Sequence, residues 1–253
     1  MRRPLIAGNW KMNLSLEEAI RLAKEISVGI SNIEDRDVLI APSFPFLYPI
    51  SLAVKGSKIF LGAQDMHWEL NGAFTGAVSG LMLKDVGCTH VIIGHSERRI
   101  LFHESDDEIA KKIKTAIDIG LYPILCVGER LEERKEGKTF SIIKTQLEGA
   151  FKLLEHVPES FTIAYEPVWA IGTGHTATPS QAQEVHGYIR DWIKENFGKE
   201  VSENIRILYG GSVKPENIDE LMAERDIDGV LVGGASLKAE SFLRIIRFKI
   251  VDK

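Results

Sequence analysis

The side chains best suited to moving a proton in this sequence each stand just after a short apolar run. Asn9 and Lys11 follow residues 5–7, His95 and Glu97 follow 91–93, and Glu166 follows 161–164 and Tyr165. Two glycine pairs, Gly210-Gly211 before Ser212 and Gly233-Gly234 before Ala235, follow the last two runs. Paired glycines let backbone N–H groups approach an anion with no Cβ between them, and helix starts attract anions. Glu166 offers a base and Lys11 a cation. His95 precedes Ser96-Glu97-Arg98-Arg99, a short helical turn whose positive end disfavours protonation, so a neutral imidazole that donates a hydrogen bond is expected. After Glu166 come Pro167, Val168, Trp169, Ala170, Ile171, Gly172, Thr173 and Gly174. An exposed Trp169 and Ile171 between small-residue hinges predict a lid that shuts water out. A base, a neutral electrophile, a cation and an anion cradle beneath a lid suit proton abstraction beside a carbonyl in a small phosphorylated substrate.

The elements that must position these groups follow from the apolar runs at 5–7, 38–41, 59–61, 91–93, 123–127, 161–164, 205–208 and 230–232. Each is strand-length and lacks polar alternation, as expected for strands covered on both faces. Amphipathic segments separate them. Three begin with capping boxes, at Ser15/Glu18, Ser105/Glu108 and Thr178/Gln181, the last with Pro179 at its first helical position. In the first of these, Leu16, Ile20, Ala23 and Ile30 read as one buried face. Eight strand–helix units of about 32 residues predict a closed (β/α)₈ barrel of parallel strands spanning 1–253 as one domain. An open doubly wound sheet is the alternative; no run carries the charge or proline of an edge strand, and Pro123 fits if it opens its strand. A barrel of this kind gathers its active site at the carboxyl ends of the strands, where the polar residues fall.

Composition narrows the function classes. The chain of 253 residues has 31 basic and 36 acidic side chains, a formal charge of −5, with 44% apolar residues. This globular balance excludes a disordered chain, and without a basic block it argues against nucleic acid as a partner. No apolar run approaches the ~18 residues that cross a membrane, and residues 1–8 lack the ~7–15-residue apolar core of a signal peptide, so a cytoplasmic location is expected. Cys88 and Cys126 are too few and scattered for a disulfide framework. Gly172-x-Gly174-x-x-Ala177 lies too far from its strand for a dinucleotide turn, Arg98 occupies the second glycine of a nucleophile elbow, and His103-Glu104 lacks a second histidine for zinc. The mixed charges of 129–138 read as a solvated loop and helix start. The loop of residues 65–76 carries Met66, Trp68, Leu70 and Phe74, a composition expected of an interface.

Over nearly its whole length the chain resembles the triosephosphate isomerase family. The matching blocks are 8–13 (Gly-Asn-Trp-Lys-Met-Asn), 62–64, 72–76, 94–99, 126–129, 164–174, 209–212 and 231–234. The resemblance implies interconversion of dihydroxyacetone phosphate and D-glyceraldehyde 3-phosphate without metal or organic cofactor. It makes Glu166 the base that works through an enediolate, His95 the group that polarises the carbonyl, and Lys11 the charge that offsets substrate and intermediate. Asn9 is implied to hydrogen-bond the reacting oxygens and Glu97 to tune Lys11 and His95. Gly172, Ser212, Gly233 and Gly234 are implied phosphate donors, and Cys126 is implied to pack behind the base. The resemblance also implies a homodimer in which Phe74, Thr75 and Gly76 reach the second subunit near its Asn9 and Lys11. Asp65, Ala77, Arg130 and His175 depart from residues common in the family; Asp65, if buried and unpaired, is expected to weaken dimerisation. Two other functions remain open on the residues alone: a Schiff-base aldolase, for which only Lys11 is placed, and a non-catalytic barrel that binds a sugar phosphate.

Overall fold

Strands form where both faces of the chain meet apolar surroundings. They are β1 (Leu5–Asn9), β2 (Asp37–Ala41), β3 (Ile59–Ala63), β4 (His90–Ile93), β5 (Tyr122–Val127), β6 (Thr162–Tyr165), β7 (Arg206–Tyr209) and β8 (Gly229–Val232). In the computed structural model, which describes residues 2–170 and 177–249, each strand pairs with the next and β8 returns to β1, closing a barrel. Every pairing is parallel. The open-sheet alternative is thereby excluded. Leu5, Ala7, Leu39, Ile92, Ile124 and Leu208 belong to one buried cluster, inside the barrel. Their strand neighbours Ile6, Ile40, Val91, Ile93, Ile163 and Ile207 belong to a second cluster shared with the helices. This is why the runs showed no polar alternation. Pro123 is the second residue of β5, paired with Val91 near the strand's entry.

The helices are α1 (Leu16–Gly29), α2 (Leu47–Ala53), α3 (Gly80–Asp85), α4 (Ser96–Leu101), α5 (Asp106–Asp118), α6 (Leu131–Lys135), α7 (Thr139–Phe151), α8 (Pro179–Phe197), α9 (Lys199–Asn204), α10 (Ile218–Ala223) and α11 (Ala239–Ile246). Capping boxes open α1, α5 and α8 at Ser15, Ser105 and Thr178, each an exchange of side-chain and backbone bonds that contributes about 1 kcal/mol. The buried face of α1 is Ala19, Leu22, Ala23 and Ile26, with Ile30 beyond its end. Leu16 is instead exposed and Ile20 half-buried, so the expected face is rotated.

Step-of-two parity carries side chains from the core to the mouth. Leu5 and Ala7 point inward, so Asn9 does as well; Thr162 and Ala164 lead to Glu166 in the same way. Tyr165, one residue out of step, belongs with the outer cluster. Among the described residues, no helix is long and apolar enough to cross a membrane.

Candidate active site

Glu166 lies one residue beyond β6, buried, with its carboxylate shared between two donors. Oε1 sits 3.0 Å from His95 Nε2, and Oε2 accepts the Ser96 N–H at 3.0 Å. Burial alone raises a carboxyl pKa, but the His95 ring, the Ser96 N–H and the Lys11 charge outweigh it and hold Glu166 below its ordinary value. The Glu166 carboxylate is ionised in this arrangement. His95 caps α4 and its Nδ1 accepts the Glu97 N–H at 3.1 Å, which leaves the ring proton on Nε2. The helix end therefore selects the tautomer. It does not lower the pKa: burial pulls the imidazole down, yet the adjacent Glu166 carboxylate more than offsets this and raises it. Sequence reasoning weighed the helix end without knowing that a carboxylate lay on the other nitrogen.

Lys11 and Asn9 meet these groups from β1. Lys11 Nζ pairs with Glu97 Oε1 at 2.5 Å, and Glu97 Oε2 lies 3.7 Å from His95 Nδ1, so Glu97 touches both residues it was expected to tune. Asn9 Oδ1 accepts the Lys11 N–H at 3.0 Å. Asn9, Lys11, His95, Glu166, Ser212 and Gly233 line one cavity of about 400 Å³, together with Gly210, Gly211 and Gly234. Lys214, which drew no notice in the sequence, lines it too.

The glycines in this wall answer to different needs. A Cβ on Gly210 would lie 2.8 Å from Glu166 Cγ, and one on Gly211 would strike Tyr209 Oη at 2.2 Å and Pro167 Cγ at 3.0 Å. Those two positions make room for the Glu166 side chain and for Pro167 after it. Gly234 faces open space, leaving its backbone reachable by an anion. Asn217 Nδ2 bonds the Ser212 carbonyl at 3.0 Å and the buried Ser236 hydroxyl bonds Gly233 O at 2.7 Å, fixing both loops. Neither residue belongs to a motif that marks its bond in the sequence.

The segment after Glu166 begins as a short turn, Val168–Ala170. Trp169 is half-buried rather than exposed: its indole N–H donates to Glu129 Oε1 at 2.9 Å, with the Arg134 guanidinium 4.9 Å from the ring centroid. Glu129 is fully buried, accepting from Tyr165 Oη at 3.1 Å and Arg134 at 3.2 Å. The reading of 129–138 as a solvated stretch therefore fails at its first residue, whose charge is matched by donors from three sides. Cys126 lies inside the barrel, its thiol pushed up by burial and by the Glu166 carboxylate. Ile171, Gly172, Thr173, Gly174 and His175 lie outside the described residues.

The loop of residues 65–76 is partly internal. Met66 joins the core, and His67 stacks between Trp68 and Phe74, each centroid 4.2 Å away. Thr75, Gly76 and Ala77 are exposed, as is Phe74. Asp65 is not unpaired: Oδ1 meets Lys112 Nζ at 2.7 Å and Oδ2 meets Arg98 at 3.0 Å, while Glu104 bonds the same lysine. Burial still outweighs those partners and raises the Asp65 pKa. Arg130 is exposed ahead of α6 and lines a cavity of about 370 Å³ that Glu166 and Val168 also border. Among the described residues, no group of three or more His, Cys, Asp or Glu could hold a metal.

Comparison with known proteins agrees with this geometry. The family described as triosephosphate isomerase matches residues 4–249. A triosephosphate isomerase of Carboxydothermus hydrogenoformans is 53% identical over 251 residues, covering 99% of this chain and all of that one. One of Syntrophotalea carbinolica is 51% identical over 252 residues, with 99% and 100% covered. The crystal structure of triosephosphate isomerase from Bartonella henselae superposes with a TM-score of 0.89 at 42% identity, covering 96% of this chain and 98% of that one.

Proposed function

The chain belongs to the triosephosphate isomerase family and interconverts dihydroxyacetone phosphate and D-glyceraldehyde 3-phosphate, and we propose that Glu166 is the base that carries the proton. The observation that supports this is an ionised, buried carboxylate 3.0 Å from a ring N–H, on the wall of a cavity with two glycine-rich loops. Glu166 takes a proton from the carbon beside the carbonyl. The oxygen that gains charge is met by His95 Nε2–H, which donates best where charge develops. Glu166 then returns the proton to the neighbouring carbon, while His95 Nε2 gives its proton to one oxygen and takes that of the other, so hydroxyl and carbonyl exchange places with no net oxidation. The Glu166 contact occupies the His95 donor, so substrate must part the two side chains before the ring can polarise a carbonyl.

Lys11 offsets the charge of phosphate and enediolate, and Asn9 bonds the reacting oxygens through its amide. Gly172, Ser212, Gly233 and Gly234 offer N–H groups to the phosphate. Residues 167–174 close over the ligand and exclude water from a reactive intermediate. Chain 1–253 acts as one domain, without metal or organic cofactor, in the cytoplasm, with neither nucleic acid nor membrane as partner. It pairs with a second copy of itself through Phe74, Thr75 and Gly76. A cavity of about 200 Å³ lined by Lys11, Met12, Phe44 and Phe102 supports that pairing, as does Met12 at 93% exposure. A fully active monomer in analytical ultracentrifugation would contradict it. The function itself is tested by a coupled assay for triose phosphate interconversion: rapid turnover is expected, and borohydride trapping of substrate on Lys11 would favour an aldolase instead.

A further inference from the structure

Lys11 has a backbone that few residues with a Cβ adopt, at φ 52°. Such a conformation persists only where its surroundings over-determine it. Here they do so with three side chains from three strand ends. Asn9 Oδ1 accepts the Lys11 N–H at 3.0 Å. The Lys11 carbonyl accepts Ser43 Oγ at 2.8 Å and Gln64 Nε2 at 2.8 Å, and the Gln64 amide also bonds Ala41 O at 2.9 Å, at the end of β2. Both acceptor positions of one carbonyl are thus filled, and turning the peptide would break both bonds. The conformation holds the ammonium against Glu97 and beside the β8 loop, where a Cβ on Gly233 would lie 3.9 Å from Nζ.

We propose that Ser43 and Gln64 are positioning residues for Lys11, locking its peptide so that the ammonium stays on the substrate's charged side. Neither lines the cavity of about 400 Å³, so both reach it through Lys11, while Gln64 also lines the neighbouring cavity of about 200 Å³. The inference rests on the reading of Lys11 as the charge that meets substrate. Because the donors share an acceptor, each single removal leaves one in place, and their losses must couple.

The test measures KM, kcat and the affinity for 2-phosphoglycolate in Ser43→Ala, Ser43→Thr, Gln64→Leu, the Ala/Leu double variant and Lys11→Met. Misplacing the charge by about 1 Å predicts KM and the phosphoglycolate Kd about tenfold higher in Gln64→Leu and a few-fold higher in Ser43→Ala. The double variant is expected to exceed the product of the two, with kcat falling less than KM rises. Ser43→Thr, which keeps a hydroxyl, is expected to restore near-native binding. A folded double variant with KM and Kd within twofold of the parent, while Lys11→Met is impaired, overturns the inference alone. Threonine as damaging as alanine also overturns it. Unchanged KM in Lys11→Met overturns the reading of Lys11 and the inference together.

Discussion

His90 and His95 stand at the two ends of β4, at 2% and 6% exposure, and their surroundings drive them in opposite directions. His90 opens the strand between the Phe60 and Tyr122 rings, its Nδ1 2.8 Å from Thr89 Oγ1; burial and the Arg206 charge push its pKa down to about 3. His95 follows the strand and is raised, because a carboxylate faces it. Burial alone does not decide the charge of a histidine; the partner does. The two barrel ends differ in the same way. At the bottom Arg190 spends its donors on Asp226 at 2.7 Å, Asp228 at 2.5 Å and the Ser202 carbonyl at 2.6 Å, while Asp228 also takes Arg2 and the Ile207 N–H. Those groups satisfy one another. At the mouth, the Glu166–His95 pair borders an open cavity, and the proposed mechanism exchanges its bond for one to substrate.

This contrast breaks most sharply at Glu166. Glu166→Gln is expected to lower turnover by ~10²–10⁴-fold or more while 2-phosphoglycolate still binds. It should also lower the His95 pKa, read by NMR, since its charged partner is gone. At the bottom, Arg190→Met takes the buried cation from two carboxylates and leaves them Arg2 as an arginine partner, so denaturant unfolding should show a loss toward the lower end of about 3–5 kcal/mol. The folded fraction should keep its kcat/KM; a selective loss of turnover would place Arg190 in the chemistry. His90 sets a third test. Its imidazole is neutral in the folded chain and takes a proton on unfolding below its ordinary pKa of about 6.5. Its contribution is therefore full above that value and is lost as pH falls toward 3, by roughly 1.4 kcal/mol per pH unit. In His90→Gln that acid slope is expected to flatten; an unchanged slope would show that His90 is protonated in the fold. Asp65→Asn is the smallest change. A carboxyl with a raised folded pKa weakens the fold where it is ionised, and the penalty fades as pH falls through that value. The variant should gain about 1 kcal/mol near neutral pH, less in acid; a loss of stability at neutral pH would show that Lys112 and Arg98 outweigh burial.

The barrel was legible because its strands repeat one signal: apolar on both faces, with a polar residue at the carboxyl end. The same parity that packs Ala164 sends Glu166 to the mouth, so a carboxylate there could be read from its place in the chain. Capping boxes at Ser15, Ser105 and Thr178 were legible because both partners lie within four residues. What stayed hidden acts at long range. Glu129 looks solvated until Tyr165, Trp169 and Arg134 are seen around it, and Ser43 looks unremarkable until it meets Gln64, the polar residue after the third apolar run, at one carbonyl. The direction of the His95 shift was hidden for the same reason, since its cause lies 71 positions away at Glu166.

The central claim is that the Glu166 carboxylate carries the proton. Incubation with dihydroxyacetone phosphate in deuterated water, followed by proton NMR, tests it most directly. The parent enzyme is expected to place deuterium on carbon in the recovered triose phosphates, whereas Glu166→Gln, with 2-phosphoglycolate binding intact, should place none above the uncatalysed rate. Deuterium incorporation by the variant at the parent rate would contradict the account.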